Sequence, residues 1–320
     1  MATLAAAAPV RRETEWSVAI SGAALVLFVI AAPFVLYPVF LMKALCFALF
    51  ACAFNLLIGY VGLVSFGHAL YFGWAGYLAA YSAKVWALPP ELAVLCGTLT
   101  ALGLGVIAGV VAIRRQGIYF AMITLALAQM MYLVALRVKM TGGEDGIQGV
   151  PRGRLFGTFD LSNEMTMYAF VAIVVLAAFF LIYRIINSPF GEVLKAIREN
   201  EQRAVSLGYK TDDYKLVAFV LSATLAGLAG SLKALVFQLA SLTDVHWTMS
   251  GEVVLMTLVG GLGTIFGPLV GAFLIDSMEN YLAAFGQWVL VIQGTVFVIC
   301  VLAFRRGIIG ELAARLRVRL

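Results

Sequence analysis

The segment NSPFGEVLKAIRENEQRAVSLGYKTDDYK, residues 187–215, divides a strongly hydrophobic chain into two parts. It carries ten charged side chains in 29 residues, whereas the whole chain of 320 residues has 22 basic and 17 acidic ones. Within it, Gly191 to Leu207 is predicted to form a short amphipathic helix, because a serine–proline pair precedes this run and Gly208 follows it. The fold must therefore place this charged island at a surface.

The predicted island helix has an apolar stripe. Phe190, Leu194 and Ile197 recur at helical spacing on one side, while the charged residues lie largely elsewhere. In one interpretation the island is a solvated loop whose stripe rests on the membrane interface. In the other it is a docking element whose stripe enters a groove of a soluble partner and whose charges steer the encounter.

The composition indicates a membrane protein. The chain is 63% hydrophobic and 12% charged, with a mean hydropathy of +0.99, which no soluble core of this length could bury. The net charge of +5 lies in loops and the tail, so it bears on orientation and lipid headgroups and not on nucleic acid. The cysteines lie in apolar runs without a CxxC pair and are predicted to be small core residues: Cys46, Cys52, Cys96 and Cys300.

Apolar runs of bilayer length predict an all-α polytopic membrane protein with about 8 to 10 transmembrane helices. The clearest spans are Ser17–Leu36, Phe40–Ile58, Leu92–Ile113, Ile118–Leu136, Met165–Tyr183, Leu216–Ala240 and Phe285–Phe304. Gly105 and Gly109 give one span a face of small residues on which another helix can pack closely. The predicted organisation is a tail at 1–15, a transmembrane permease domain at 16–304 and a basic tail at 305–320.

Basic residues predict the orientation. The arginine-rich end after Phe304 and the paired Arg11 and Arg12 favour both termini in the cytoplasm. Counting spans then puts residues 187–215 in the cytoplasm and the glycine-rich loop 137–164 outside. The stretch Glu252–Tyr281 must cross an even number of times, either as a re-entrant hairpin or as two short helices.

Two glycine-rich stretches, one in each half of the chain, indicate broken or re-entrant helices. They contain Gly62, Gly67, Gly73 and Gly76 before the island and Gly260, Gly263, Gly267 and Gly271 after it. Paired interruptions of this kind point to a transport site, because broken helices present free backbone groups and helix ends near the bilayer centre. The alternative is that these glycines only permit close helix packing.

Other function classes have weaker signals. No lysine follows a glycine and precedes a serine or threonine, so the chain has no P-loop. Ser65 and His68, three residues apart, could form a nucleophile and base, but they are better explained as lining residues of a glycine-rich passage. Lys233 lies inside a predicted span. It either snorkels to the interface or marks a wrongly placed span boundary, or else it faces the pathway and meets a carboxylate. An ion-coupled secondary transporter therefore stays open.

Four motifs in order carry a resemblance to a known family. They are GYVGLVSFGHALYFGWAGY at 59–77, TGGEDGIQGVP at 141–151, SPFGEVLKAIRENEQRAVSLGYKTDDYKLVAFVLSATLAGLAGSL at 188–232 and TLVGGLGTIFGPLVGAF at 257–273. Over roughly residues 40 to 300 the chain resembles the branched-chain amino-acid ABC transporter permease family, and within it the LivM-type subunit.

The resemblance implies a non-catalytic permease subunit of the bacterial inner membrane that moves branched-chain or other apolar amino acids by alternating access. Helix ends of the broken segments could meet the substrate carboxylate. The chain would need no cofactor, since ATP and magnesium would bind its partners. These would be a LivH-like permease, two LivG- and LivF-like ATPases, a periplasmic binding protein and membrane lipid, without nucleic acid. An importer of urea or another small solute is the alternative.

Carried onto this sequence, the resemblance assigns three groups of residues. The coupling helix for the ATPases would include Gly191, Glu192, Ala196, Ile197, Arg198, Glu199 and Asn200. The outer gate or docking loop for the binding protein would include Thr141, Gly142, Gly143 and Gly146. The substrate passage would include Gly62, Ser65, Phe66, Gly67, His68, Gly73, Gly260, Gly261, Gly263, Thr264, Gly267 and Pro268. Glu144 and Asp145 depart from the small polar residues expected in the outer loop.

Overall fold

The computed structural model describes residues 10–282, 286, 288–304 and 307–316. Its helices are α1 Val10–Ala31, α2 Pro38–Tyr60, α3 His68–Lys84, α4 Pro90–Ala112, α5 Ile118–Arg137, α6 Glu164–Ile186, α7 Pro189–Glu199, α8 Glu201–Ser206, α9 Thr211–Phe237, α10 Trp247–Gly260, α11 Gly267–Leu282, α12 Trp288–Ala303 and α13 Gly307–Leu316. Two antiparallel pairs of short strands join the loops: β1 Ile147–Gln148 with β4 Leu239–Ala240, and β2 Arg154–Leu155 with β3 Phe159–Asp160.

The predicted helical class is confirmed. Five of the described helices, α2, α4, α5, α6 and α9, are long and apolar enough to cross a membrane, and two shorter apolar segments are Ser21–Phe34 and Val291–Cys300. The total of about 8 to 10 spans and the orientation of the termini stay predictions. Parts of the predicted tails, residues 1–9, 305–306 and 317–320, lie outside the described residues.

Helices α2 and α9 form the centre of the fold. In the most apolar window of α2, 89% of the residues are buried inside the chain. The corresponding share is 67% in α9 and only 22% in α5. Helices α3 and α4 pack against α9, and α6, α10 and α11 pack against α2. The outer helices therefore leave apolar surface for lipid or for another membrane subunit, whereas α2 leaves almost none and α9 leaves little.

The small-residue face of α4 packs against α9, as predicted. A methyl group added at Gly105 would lie 2.8 Å from the Cβ of Ala223, and one at Gly109 would lie 2.7 Å from Cδ1 of Leu216. The approach is therefore too close for any side chain larger than hydrogen at these two positions. Gly103, on another face of α4, has open space around it.

Two short helices form the region that was predicted as either a hairpin or a helix pair. With 14 and 16 residues, α10 and α11 are about 21 and 24 Å long, shorter than a bilayer core of roughly 30 Å. The loop 261–266 joins them. A methyl group at Gly271 would lie 1.9 Å from the Met256 carbonyl oxygen. The glycines of this region therefore permit close packing of α10 against α11, in addition to interrupting the helix.

Charged side chains lie inside the helical bundle. Lys43 Nζ on α2 lies 2.7 Å from Asp276 Oδ1 and 2.8 Å from Glu279 Oε2, both on α11, and Asp276 is fully buried. Lys233 Nζ lies 2.5 Å from Asp244 Oδ1. The expected contact of Lys233 with a carboxylate is thus present, and a place for Lys233 on the pathway stays a prediction. Lys43 joins two helices that are distant in sequence, whereas Lys233 joins α9 to the loop just after it.

Candidate coupling site and substrate passage

The island forms two helices, so the prediction of a single helix from Gly191 to Leu207 is wrong. Ser188 caps α7 by accepting a hydrogen bond from the Gly191 N–H at 3.3 Å. Asn200 has extended backbone angles, φ −159° and ψ 99°, and its Oδ1 accepts from the Arg203 N–H at 3.0 Å. Asn200 therefore ends α7 and caps α8, because a side-chain acceptor at this position replaces the missing helical bond.

The apolar stripe of α7 faces its own chain. Leu194 and Ile197 are 0% and 4% exposed, and Phe190 stacks on Tyr214 with ring centroids 5.7 Å apart. Helices α2, α6 and α9 cover this stripe. Both interpretations of the stripe, which laid it on the membrane interface or in a partner, are therefore wrong. Helical periodicity identifies an apolar face, but it does not say which surface covers that face.

Gly191 sets how closely α7 follows α6. A methyl group at this position would lie 2.2 Å from the carbonyl oxygen of Ile186 and 2.6 Å from that of Ile185. Both neighbours are backbone atoms of the helix end and cannot swing aside. Only glycine fits, and the position of α7 against the end of α6 depends on it.

A buried lysine fastens α8 to the start of α9. The Lys215 side chain is 2% exposed, and its Nζ lies 2.6 Å from Glu201 Oε1 and 3.0 Å from Asp212 Oδ1. The Thr211 hydroxyl also donates to Glu201 Oε1 at 3.1 Å. The island is thus a fixed part of the fold and not a free loop.

The outer face of the island is both charged and apolar. Of the residues predicted to couple to the ATPases, the exposed ones are Glu192, Ala196, Arg198, Glu199 and Asn200, and the buried ones are Gly191 and Ile197. Three large side chains that were not predicted are exposed beside them: Val205 at 54%, Leu207 at 72% and Tyr209 at 41%. Exposed apolar groups among charges are typical of a protein interface.

Arg198 connects the island to both glycine-rich breaks. Its Nη1 donates a hydrogen bond to the main-chain carbonyl of Gly59 at the end of α2. A methyl group at Gly62 would lie 3.1 Å from Arg198 Cγ, and one at Gly263 would lie 3.1 Å from Arg198 Nη1. The structure therefore brings a predicted coupling residue into contact with two predicted passage residues.

Asn55 holds the second break against α2 and was missed in the sequence. Its Nδ2 donates to the carbonyl of Thr264 at 2.9 Å, and its Oδ1 accepts from the Gly263 N–H at 3.0 Å. Asn55 is 3% exposed and is the one amide in the apolar run Phe40–Ile58. An amide side chain deep in a membrane span is a signal for a specific polar contact, and it could have identified this residue.

The first break, residues 61–67, is an irregular segment with alternating burial. Leu63, Ser65 and Gly67 are buried in the chain. Gly62 and Val64 are exposed, and Phe66 is half-buried. One side of this segment is therefore exposed, and the other is packed against the chain.

Three hydroxyl groups, from α5, from α10 and from the break itself, accept hydrogen bonds from the backbone N–H groups where α3 begins. Thr124 Oγ1 accepts from the Phe66 N–H at 3.2 Å, and Ser250 Oγ accepts from the Ala69 N–H at 2.9 Å. Ser65 Oγ accepts from the Gly67 N–H at 3.2 Å. These donors, which we expected to meet a substrate carboxylate, are satisfied by the chain itself.

His68 and Ser65 do not form a nucleophile–base pair. The His68 Nε2 lies 2.9 Å from Ser222 Oγ, and that hydroxyl donates to the Ala53 carbonyl at 2.5 Å. Because the Ser222 hydroxyl donates its proton to Ala53, it can only accept from His68. The His68 Nε2 is therefore protonated and is the donor in this contact. His68 is fully buried between α2 and α9, which gives it a packing role and no contact with a solute in this conformation.

The remaining predicted passage residues lie around the second break and on α3. Gly263 and Thr264 are half-buried. The fully buried ones are Gly73, Gly260, Gly261, Gly267 and Pro268. A methyl group at Gly260 would lie 2.0 Å from the Gly267 carbonyl oxygen, so these two glycines let α10 and α11 meet at the turn.

The outer loop is built on glycines and on one buried threonine. Thr141 is 0% exposed, and its hydroxyl lies 2.5 Å from the Ala135 carbonyl. Gly142, Gly143 and Gly146 have positive φ angles of 78°, 62° and 66°. The exposed side chains of this turn belong to Glu144 and Asp145. Thr141 and the glycines therefore determine the backbone conformation of the turn, and Glu144 and Asp145 form its exposed surface.

The island and the outer loop lie at opposite ends of α9. The island is fastened at Lys215 near the start of α9, whereas β1 of the outer loop pairs with β4 just after its end. Helix α9 has 27 residues and is therefore about 40 Å long. This length exceeds a bilayer core of roughly 30 Å, so the two predicted docking regions are farther apart along α9 than a bilayer core is thick.

Comparison with known proteins supplies a family. Residues 38–301 match the family model described as branched-chain amino acid transport system, permease component. The chain is 25% identical over 293 residues to the high-affinity branched-chain amino acid transport permease LivM of Salmonella typhimurium, and 24% over 288 residues to that of Escherichia coli; each match covers 83% of this chain and 68% of the relative.

A shorter match concerns a different type of permease. The chain is 29% identical over 158 residues to a probable branched-chain amino acid transport permease LivH of Methanocaldococcus jannaschii, covering 46% of this chain and 47% of that protein. No solved structure matches the chain.

Proposed function

Because the chain belongs to the permease-component family of branched-chain amino-acid transport systems, whose model matches residues 38–301, we propose that it forms half of a substrate passage beside a LivH-like permease. It is the non-catalytic, multi-pass membrane permease of a bacterial ABC importer for branched-chain amino acids. In the proposal, two LivG- and LivF-like ATPases bind ATP and magnesium and drive alternating access, and a periplasmic binding protein delivers the substrate.

The proposed ATPase docking surface is the outer face of α7 and α8 with the turn that follows. The observation that carries it is the exposure of Val205, Leu207 and Tyr209 among charged residues. These side chains are not in hydrocarbon, because Arg203 and Lys210 flank them in sequence and are exposed. A surface with apolar anchors and a charged rim fits a protein groove.

The test is co-purification of the chain with candidate ATPase subunits from a membrane extract. Leu207→Asp is expected to reduce the recovered ATPase at least tenfold, because it puts a charge at the most exposed apolar residue of the surface. The matched control is Phe156→Asp, which makes the same change at a side chain 73% exposed in the loop at the other end of the fold. Wild-type recovery of the ATPases with Leu207→Asp would contradict the proposed surface.

Arg198 is unsuitable for this test. Reversing the charge at Arg198 would remove its hydrogen bond to Gly59 and would also change the surface charge. Loss of the ATPases from such a variant could then come from either change. Glu199 and Arg203 are both exposed, and Glu199→Lys with Arg203→Glu reverses the charge pattern without touching α2. We expect this pair to weaken ATPase recovery in a salt-dependent way.

The proposed docking surface for the binding protein is the outer turn. Glu144 and Asp145 are exposed there and offer two carboxylates to basic side chains of a partner. Replacing both with their amides is expected to slow association with the loaded binding protein and to reduce its dependence on salt. Surface plasmon resonance on the permease in nanodiscs measures both quantities.

The proposed passage runs along the exposed side of the breaks, with Gly62, Val64, Phe66, Gly263 and Thr264 toward the solute. In this proposal the buried predicted residues, among them Ser65, Gly67 and His68, support the passage without lining it. A second permease would cover the open side, since this chain alone leaves that side exposed.

Cysteine labelling tests this placement of the passage. A membrane-impermeant maleimide is expected to label Val64→Cys in the assembled importer, and to label Phe180→Cys at least tenfold more slowly. Phe180 is 63% exposed on α6 and is expected to face lipid, where a thiol does not ionise or meet the reagent. Equal rates at the two positions would contradict the placement.

A further inference from the structure

The side chain of Arg198 is the contact between the island and the two glycine-rich breaks. Its guanidinium donates to the Gly59 carbonyl, and its atoms lie beside the α-carbons of Gly62 and Gly263. These two glycines have φ angles of +83° and +74°, which other residues rarely adopt. The two backbone loops can therefore approach one arginine from both sides.

A second contact holds the loop 261–266 against α2 without the island. Asn55, within α2, binds the Gly263 N–H and the Thr264 carbonyl. The Asn55 contact joins two membrane segments, whereas the Arg198 contact comes from α7, the element that carries the proposed docking surface. Of the two, only the Arg198 contact changes when α7 moves relative to α2.

We propose that Arg198 is a positioning residue that latches the end of α2 and the loop 261–266 together, and that displacement of α7 releases this latch and opens the passage on the island side. The proposal rests on the proposed function, because it takes the ATPases as the source of the displacement. A guanidinium suits this role, since its several N–H donors stay charged at all working pH values and can hold backbone carbonyls.

The first test is transport by the reconstituted importer in proteoliposomes, with uptake of leucine and hydrolysis of ATP measured together. Arg198→Ala is expected to keep the ATPases bound and active while leucine moved per ATP falls at least tenfold. Arg198→Lys, which keeps the charge on a shorter donor, is expected to give an intermediate ratio. Arg115→Ala is the matched control at an exposed arginine between α4 and α5, outside the proposed docking surface, and is expected to leave the ratio unchanged.

The outcomes separate the latch from the proposed function. An unchanged ratio of leucine to ATP in Arg198→Ala overturns the latch. Loss of the ATPases from this variant also overturns it, because Arg198 would then belong to the docking surface. Failure of the ATPases to copurify with wild type overturns the proposed function instead, and the latch is then decided by the second measurement.

The second measurement needs no partner chain. Cys96 and Cys300 are replaced by alanine, which leaves only the buried Cys46 and Cys52, and Leu262→Cys is introduced in the half-buried loop. Arg198→Ala is expected to raise the labelling rate of position 262 from the island side at least fivefold. Equal rates with and without Arg198 overturn the latch, whether or not the variant changes the thermal stability.

Discussion

The Nη1 of Arg198 donates to the carbonyl oxygen of Gly59, although the two residues are 139 positions apart in the chain. The bond joins the island to the end of the most buried helix. The acceptor is a main-chain carbonyl oxygen, which no substitution of Gly59 removes. A mutational test of this bond must therefore change Arg198. A hydrogen bond from a charged donor is worth about 1.5 to 3 kcal/mol, enough to bias the balance between two conformations of a loop.

The first prediction concerns the outer turn. Gly146→Ala should lower the free energy of unfolding more than Gly149→Ala does, since a methyl group at Gly146 would lie 2.3 Å from the Ala240 carbonyl oxygen, whereas Gly149 has open space. Both glycines have positive φ, 66° and 65°, and Gly146 also has ψ −165°, a combination that is essentially restricted to glycine, so backbone strain adds to the steric clash at Gly146. Thermal unfolding in detergent measures the difference, and equal melting temperatures would contradict the predicted β1–β4 contact.

The second prediction concerns the buried ion pair between α2 and α11. Lys43→Met should cost about 3 to 5 kcal/mol, because it leaves the fully buried Asp276 without its cation. Lys43→Met combined with Asp276→Asn should recover part of this loss. Lys195→Met is the control: its pair with Glu192 is exposed and should contribute at most about 1 kcal/mol. Denaturant titration of the purified chain compares the three, and similar losses for Lys43 and Lys195 would count against the buried pair.

A third prediction uses two glycines of α4 with opposite outcomes. Gly103→Ala should stabilise the protein by up to about 1 kcal/mol, since alanine favours the helix and position 103 has open space. Gly105→Ala should destabilise it, because the new methyl group would lie 2.8 Å from Ala223 on α9. Melting temperatures of the two variants should therefore shift in opposite directions. Shifts in the same direction would show that α4 and α9 are less close than described.

The fourth prediction concerns the attachment of α8. Glu201→Gln should increase hydrogen exchange of residues 200–210, because it removes the charged acceptor of the buried Lys215. Asp212→Asn changes the other carboxylate of the same lysine, but Asp212 is 73% exposed, so its loss should have little effect. Exchange measured by mass spectrometry distinguishes them, and protection that is unchanged in both variants would mean that packing alone holds α8.

Much of the fold follows from hydropathy alone. The predicted spans Leu92–Ile113 and Ile118–Leu136 correspond to α4 and α5 within one or two residues, and the small-residue face of α4 packs as predicted. The glycines at 260–271 end one helix and begin the next, as their composition suggests. Such features are local, and apolar length, glycine and proline determine them.

The contacts of the site depend on tertiary structure and could not be predicted in the same way. The stripe of α7 is periodic in the sequence, but only the fold shows that α2, α6 and α9 cover it. Ser65 and His68 are three apart and suggest a pair on one helix face, yet each binds a different partner, because α3 begins only at His68 and Ser65 lies in the irregular segment before it. Arg198 is one of several charges in the island, and nothing local distinguishes it from Arg203.

Helix α9 has a consequence for the direction in which signals pass. One end is fastened to the island through Lys215, and the other leads directly into β4, which pairs with the outer loop. In the proposed importer, the ATPases attach at one end of this helix and the loaded binding protein at the other. Any factor by which ATPase attachment changes the affinity for the binding protein is then also the factor by which the binding protein changes the affinity for the ATPases. A coupling of this kind makes the arrival of substrate outside a thermodynamic signal to the nucleotide sites.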